Sequence, residues 1–264
     1  MSKVWAIFMK ELKIYFGTPV AYVIFGVFAS ISGYFFYQIL AFFQRQSVQF
    51  AQMQAPQLLE HMNLNDMVVS PLLMNVNVFF LLMIPVLTMR LIAEEKRTKT
   101  MELLTTNPVS VWQVALGKYM ASLAVVLAMV AIIAVYPLLL DMLARGSSGV
   151  GGIEWAPVLT GLLGLFLSGA AFAAIGLFAS SLTDSQIVSA ISGFGILLVF
   201  WVIGWAAGSA EGALQAFLKN ISLLEHMASF TKGLVELKDL VFYFSIIFLS
   251  LFLTTRVVES QRWR

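Results

Sequence analysis

The chain has no cysteine in 264 residues. Disulfide staples and thiolate chemistry are therefore excluded, and cysteine usage gives no reading of the redox compartment. Charge is scarce as well. Asp, Glu, Lys and Arg make up 11% of the residues, against about 25% in soluble domains. The formal charge of +2 is too small to point to a nucleic-acid partner. Histidine occurs only as His61 and His226, far apart in sequence, so no convergent metal-ligand set is legible. The one Gly-Lys pair, Gly117–Lys118, is followed by Tyr119 and has no upstream glycine at the spacing of a phosphate loop. No carboxylate stands in the middle of an apolar run. Asp141 lies near the end of one and Asp184 in a turn, which weighs against a proton-driven carrier.

What is abundant is apolar surface. Hydrophobic residues make up 60% of the chain and the mean hydropathy is +0.89. That composition describes an integral membrane protein in which residues 1–264 form a single transmembrane domain. An ionised group near the bilayer centre costs about 2.5–3.5 kcal/mol, so uncharged runs mark the spans. Ile14–Gln44, Met67–Met89, Tyr119–Leu140, Trp155–Thr183, Ser185–Ala210 and Leu240–Thr255 carry no charge. The expected spans are 19–42, 70–92, 111–140, 157–182, 186–208 and 240–256. The last is the least secure, because its uncharged run is only 16 residues long. Arg45–Asp66 reads as a short polar helical loop, Arg145–Glu154 as a glycine-rich turn and Thr183–Ser185 as a tight turn. Pro85 is expected to loosen the second span near its end.

Two amphipathic segments flank the spans. Residues 2–16 place Trp5 and Phe8 on one helical face and Lys10 and Lys13 on the other, which reads as an interfacial helix in contact with membrane lipid. No short apolar stretch with a cleavage site marks a signal peptide. A solvated tail is the alternative. Residues 211–239 line Leu214, Phe217, Leu218, Ile221 and Leu224 along one side. Six spans put both termini on one side, and 11 of the 16 basic residues fall there, so the positive-inside rule makes that side cytoplasmic. Small residues four apart, such as Gly204 and Gly208 or Gly169 and Ala173, suit close helix packing within the subunit.

The segment Arg90–Lys118 organises the rest. It is a knot of both charge signs between two spans. Glu94, Glu95, Lys96, Arg97, Lys99 and Glu102 make charged helical turns, with Glu95 and Lys99 at i, i+4. Met101, Leu103 and Leu104 add an apolar side, and Thr106–Asn107–Pro108 breaks the helix. Such a loop can hold the protein at the membrane surface or dock a soluble partner. A merely solvated loop has no use for a Leu-Leu pair and a tryptophan at helical spacing, which favours docking.

At these residues the chain resembles the permease subunits of ABC-2 type ATP-binding-cassette transporters. The run Ala93–Thr98, with Thr100, Glu102-Leu103-Leu104, Pro108, Gln113 and Gly117-Lys118, is similar to that family's cytoplasmic loop. Ile84-Pro85 and Met89-Arg90 favour its gliding-motility-associated branch. A second block, Glu225-His226, Phe230, Gly233 and Asp239 before Phe242-Tyr243, resembles the family's outer segment. One departure is Lys99, where the family usually has glycine between two threonines. The resemblance implies an all-α integral membrane protein of six transmembrane helices, with an N-terminal interfacial helix and a cytoplasmic coupling helix between spans 2 and 3. It implies that Glu94, Glu95, Lys96, Arg97, Thr98, Thr100, Glu102, Leu103 and Leu104 dock an ATPase, and that Pro108, Gly117 and Lys118 belong to the loop's turn. It further implies a cytoplasmic ATPase dimer that holds ATP and Mg, none being held by this chain. A second permease copy and an extracytoplasmic auxiliary protein are further expected partners, in a bacterial inner membrane. Competing readings are an ATP-independent secondary carrier, an intramembrane enzyme or scaffold, and a force-transmitting complex without a transported substrate.

Overall fold

A computed structural model describes residues 3–53, 63–100, 109–144 and 153–261. Among these the chain is helical with no strands. The order is α1 (Lys3–Gly17), α2 (Pro19–Gln52), a single π-helical turn (Asn65–Val69), α3 (Ser70–Thr88), α4 (Arg90–Arg97), α5 (Val111–Ala144), α6 (Trp155–Leu182), α7 (Gln186–Ser209), α8 (Gly212–Ile221), α9 (Leu223–Thr231) and α10 (Leu237–Gln261). Six helical segments are long and apolar enough to cross a membrane: Ala21–Gln52, Asn65–Arg97, Val111–Leu143, Trp155–Leu182, Gln186–Ser209 and Leu237–Gln261.

The bundle is built around α6. This helix packs on α3, α4, α5, α7, α9 and α10. Every residue from Leu167 to Leu177 is buried. The sequence explains this centrality. Small residues recur on all sides of α6, so six neighbours can approach it closely in lipid, where packing rather than hydrophobic transfer drives association. Gly169 meets Val126 of α5 and Phe80 of α3, and a Cβ there would lie 2.6 Å from the valine methyl. Gly164 seats Phe230, where a Cβ would lie 2.5 Å from the phenylalanine Cβ. By contrast α2 and α7 stand at the edge, with Tyr22, Tyr34, Tyr37, Ile187, Ile191 and Trp205 exposed. Of the GxxxG pair, Gly204 packs on Ser222 and Leu224, while Gly208 faces open space.

α2 runs unbroken from Pro19 to Gln52, so its helix continues past the expected span end at residue 42 into the stretch read as a polar helical loop. Nothing between Phe42 and Gln52 breaks a helix, and Gln and Ala are good helix formers. α10 has 25 residues, about 37 Å at 1.5 Å per residue, and carries the uncharged run of the last span with charged residues at both of its ends. The polar loop after α2 and the glycine-rich turn after α5 lie largely outside the described residues. The Thr183–Ser185 turn is as tight as expected: Ser185 caps α7, its hydroxyl accepting from the Val188 amide.

The termini of the bundle define two faces. The terminal face gathers α1, the end of α3 with α4, the start of α5, the end of α6 and the start of α7. The far face gathers the π-helical turn, the start of α6, α8, α9 and the start of α10. There Asn65 donates to the Glu154 carbonyl at 2.7 Å and Thr160 donates to the Phe230 carbonyl at 2.9 Å.

Candidate functional site

The site forms where the second span ends. α3 contains Pro85, whose missing amide weakens the ladder, and the helical run is interrupted at Met89 before α4 resumes. A side chain from α6 fills the break. The Ser180 hydroxyl donates to the Met89 carbonyl at 2.8 Å and accepts from the amides of Ile92 and Ala93, both at 3.0 Å. The hydroxyl is thus inserted into the backbone ladder between the Met89 carbonyl and the Ala93 amide, which loosens the helix locally. Beside it, the Lys96 ammonium donates to the Ser181 carbonyl. α4 is thus fastened to the end of α6 along one side.

Its other side is held by buried charge. Glu95 sits at 8% exposure and Lys118 at 1%. The Lys118 ammonium lies 2.9 Å from Glu95 Oε1 and 2.8 Å from Glu11 Oε1. Lys10 approaches the same Glu95 oxygen at 3.1 Å. Two carboxylates and two ammonium groups therefore alternate around one point, and they come from α1, α4 and α5. Burial alone would lower the Lys10 pKa, but Glu95 and Glu11 outweigh it and hold it above the ordinary 10.5. Glu95 Oε2 is buried with no hydrogen-bond partner among the described residues. Gly117 makes the approach possible. A Cβ on it would lie 2.8 Å from Ile7 Cβ and 3.1 Å from the Val4 carbonyl, so only glycine lets α1 lie this close to α5.

Tyr15 completes the base. Its hydroxyl donates to the Leu87 carbonyl at 2.8 Å, and the Arg90 guanidinium lies 4.5 Å from its ring centroid. Burial pushes this phenol up, with Arg90 opposing.

The expected residues therefore divide. Glu95 and Lys96 turn toward the bundle, Glu94 is half-buried, and Arg97, Thr98 and Thr100 stand exposed at the end of α4. The threonine hydroxyls lie 3.0 Å apart, and the Thr100 amide donates to the Glu95 carbonyl at 3.0 Å. Lys99, which stands where the resemblance leads one to expect glycine, has φ 56°. The turn keeps the left-handed conformation that glycine would adopt without strain. Glu102, Leu103, Leu104 and Pro108 lie outside the described residues. Gly117 and Lys118 are not turn residues, as expected, but part of the second turn of α5. Their role is the contact with α1. In α1, Trp5 stacks near Phe8 with centroids 5.0 Å apart. Lys13 is exposed, whereas Lys10 leans into the charge cluster rather than away from the bundle.

On the far face the second sequence block does converge. His226 Nδ1 lies 2.6 Å from Asp239 Oδ1, and Nε2 lies 3.1 Å from the Asn220 carbonyl. The imidazole stacks on Phe242 at 3.9 Å. Phe230 is fully buried. Gly233 turns the chain at φ 83° against Pro157, and Glu225 is exposed at a cavity of about 260 Å³ that Lys219 and Ser229 also line. Among the described residues no group of His, Cys, Asp and Glu could hold a metal ion.

Glu11, Tyr15 and Ser180 were not singled out from sequence. Glu11 had a signal, as the only acid before Glu60, and Lys118 had one too, as a lone cation at the head of a long apolar run. Ser180 had none, since serines are common in apolar helices.

Comparison with protein families finds that residues 5–262 match the model described as ABC-2 family transporter protein. No curated protein matches the chain.

Proposed function

The chain belongs to the ABC-2 family of transporter proteins, and on that premise we propose that it is the permease subunit through which a separate ATPase works on the membrane. The observation that carries this reading is the seating of α4. Ser180 and Lys96 fasten it to α6, the Glu95–Lys118–Glu11–Lys10 cluster fastens it to α1 and α5, and its end at Arg97–Thr100 is left exposed. A push on that end cannot be absorbed by a loose loop. It passes to α6, which touches most of the bundle, and so to a rigid-body change of the spans.

In this reading the terminal face is cytoplasmic, as the distribution of basic residues favours. The docking element runs from α4 through Leu104. Leu103 and Leu104 supply affinity, while Arg97 and its neighbours set orientation. Glu95 acts from behind, by holding the element rather than by touching the partner. Two such chains, identical or related, pair with two ATPase subunits, which hold the ATP and Mg. The far-face helices α8 and α9 cap the path between the two permeases and offer a surface to an extracytoplasmic partner. The residues around Pro85 and Met89 favour the gliding-motility-associated branch of the family, in which the work is export or the transmission of force.

Co-purification with the ATPase encoded beside this chain tests the reading. A stable complex is expected, with ATP hydrolysis that depends on the permease. Charge reversal at Arg97 combined with polar replacement of Leu103 and Leu104 should abolish assembly. A complex that survives those changes, or transport that continues in ATP-free vesicles under an ion gradient, would overturn it.

A further inference from the structure

A second cavity, of about 300 Å³, opens on the terminal face between α1, α2, the end of α3 with α4, and the start of α7. Its two halves differ in chemistry. Ile24, Val86 and Leu87 give one apolar side, while Arg90, Glu94 and Arg97, spaced along one face of α4, give the other. Its depth is fixed by the spans themselves. Arg90 is the first charged residue after the uncharged run of the second span, and α2 begins the first span beside it. The cavity therefore sits at the level where acyl chains give way to headgroups.

Among the described residues no carboxylate lies within ion-pair distance of Arg90 or Arg97. Arg90 rests over the Tyr15 ring instead, and Tyr15 is itself anchored to the Leu87 carbonyl. A guanidinium held on an aromatic face keeps its hydrogen-bond donors free on its other edges. Basic pockets between transmembrane helices at the membrane surface suit phospholipid headgroups. The apolar side formed by Ile24, Val86 and Leu87 suits the first carbons of the acyl chains.

We propose that this cavity is a binding site for an anionic phospholipid, with Arg90 and Arg97 on its phosphate and the Ile24–Val86 side against its acyl chains. It goes beyond the docking role proposed for α4, with which it shares Arg97 but not Arg90. Glu94 sits between the two arginines and opposes the phosphate. Binding is thus set by two cations against one anion, and removing Glu94 should strengthen it.

The test is native mass spectrometry of the full chain purified in detergent with phosphatidylglycerol, phosphatidylcholine or soluble glycerol phosphate. The wild type should retain phosphatidylglycerol about tenfold better than phosphatidylcholine, whose choline cation offsets its phosphate beside two arginines. Arg90→Gln should remove about a tenfold share of that retention, Arg90→Lys should keep part of it, and Glu94→Gln should raise it. Should Arg90→Gln fail to fold, Arg97→Gln and Glu94→Gln, both at the cavity rim, must still move retention in opposite directions. Equal retention of the two lipids, indifference to these substitutions, or equal occupancy by soluble glycerol phosphate would overturn the proposal.

Discussion

The two faces of the bundle bury polar pairs in different ways. On the far face, His226 and Asp239 are 13 residues apart and join α9 to the start of α10. On the terminal face, Lys118 reaches Glu11 across 107 positions, and Lys10 reaches Glu95 across 85. The first pair closes a local cap. The second ties three segments that nothing in the chain's order would otherwise bring together. Both leave one buried carboxylate oxygen, Asp239 Oδ2 or Glu95 Oε2, without a partner among the described residues. The contrast shows which face needs a fixed geometry at long range. Among the described residues, α4 on the terminal face ends in the exposed run Arg97–Thr100.

Removing Lys118 tests that contrast most severely. Lys118→Ala leaves Glu11 and Glu95 facing each other with only the half-exposed Lys10 between them. Breaking a buried pair in this way costs about 3–5 kcal/mol. Thermal unfolding in detergent should drop sharply, and limited proteolysis should open α1 and α4 together. Pairing it with Glu11→Gln should recover part of the loss. If Lys118→Ala unfolds at the wild-type temperature, the cluster is not what holds α1 to α4 and α5.

Gly117→Leu is next. It forces Ile7 and the Val4 carbonyl away from α5, an overpacking worth about 1–3 kcal/mol. The damage should be confined to α1, so hydrogen exchange should rise in Lys3–Gly17 while α8 and α9 stay protected. Asp239→Asn is the mirror experiment. It removes the charge facing His226 at a cost of about 1–3 kcal/mol, and exchange should rise in α8 and α9 while α1 is unchanged. Coupled changes at both ends would erase the distinction between a local cap and a long-range tie.

These contrasts also mark what was legible beforehand. The six spans were readable because charge is so scarce that its few positions punctuate the chain. Polarity alone does not mark a helix end: Gln44–Gln52 is polar yet helical, and α2 continues past residue 42. The charged loop was readable as a centre of organisation. Which of its charges turned inward was not, because the amphipathic pattern of α4 cannot say that α1 and α5 will cover one side. Glu95 was read as an outward docking residue by its company in sequence, yet its partners lie at positions 10 and 118. Ser180 shows the remaining limit. Its three hydrogen bonds depend on a break at Met89 in another helix, and no local pattern around residue 180 announces it.

Ser180→Ala separates seating from stability. The substitution removes a hydroxyl that serves two amides and a carbonyl, with an expected loss of about 1–2 kcal/mol. The fold should survive, because the charge cluster still holds the other side of α4. In the proposed complex, assembly with the ATPase should persist while the permease's effect on hydrolysis weakens. Loss of assembly instead would make Ser180 part of the docking geometry itself.

The smallest effect belongs to Lys10, the outermost member of the cluster. Its side chain is 53% exposed, so its attraction to Glu95 is screened by solvent and Lys10→Met should cost no more than about 1 kcal/mol. The sign of its pH dependence follows from its raised pKa. A cation whose pKa is higher folded than unfolded contributes its full stability below the unfolded value, and loses it as pH rises through the folded value. That window lies above the ordinary 10.5. Wild type and Lys10→Met should therefore differ by a constant amount in thermal midpoint from pH 6 to pH 9. They should converge only in strong alkali. A gap that closed near neutral pH would mean that a group other than Lys10 titrates against Glu95. The tie on the terminal face would then be pH-sensitive over the range in which the ion pairs described here predict constancy.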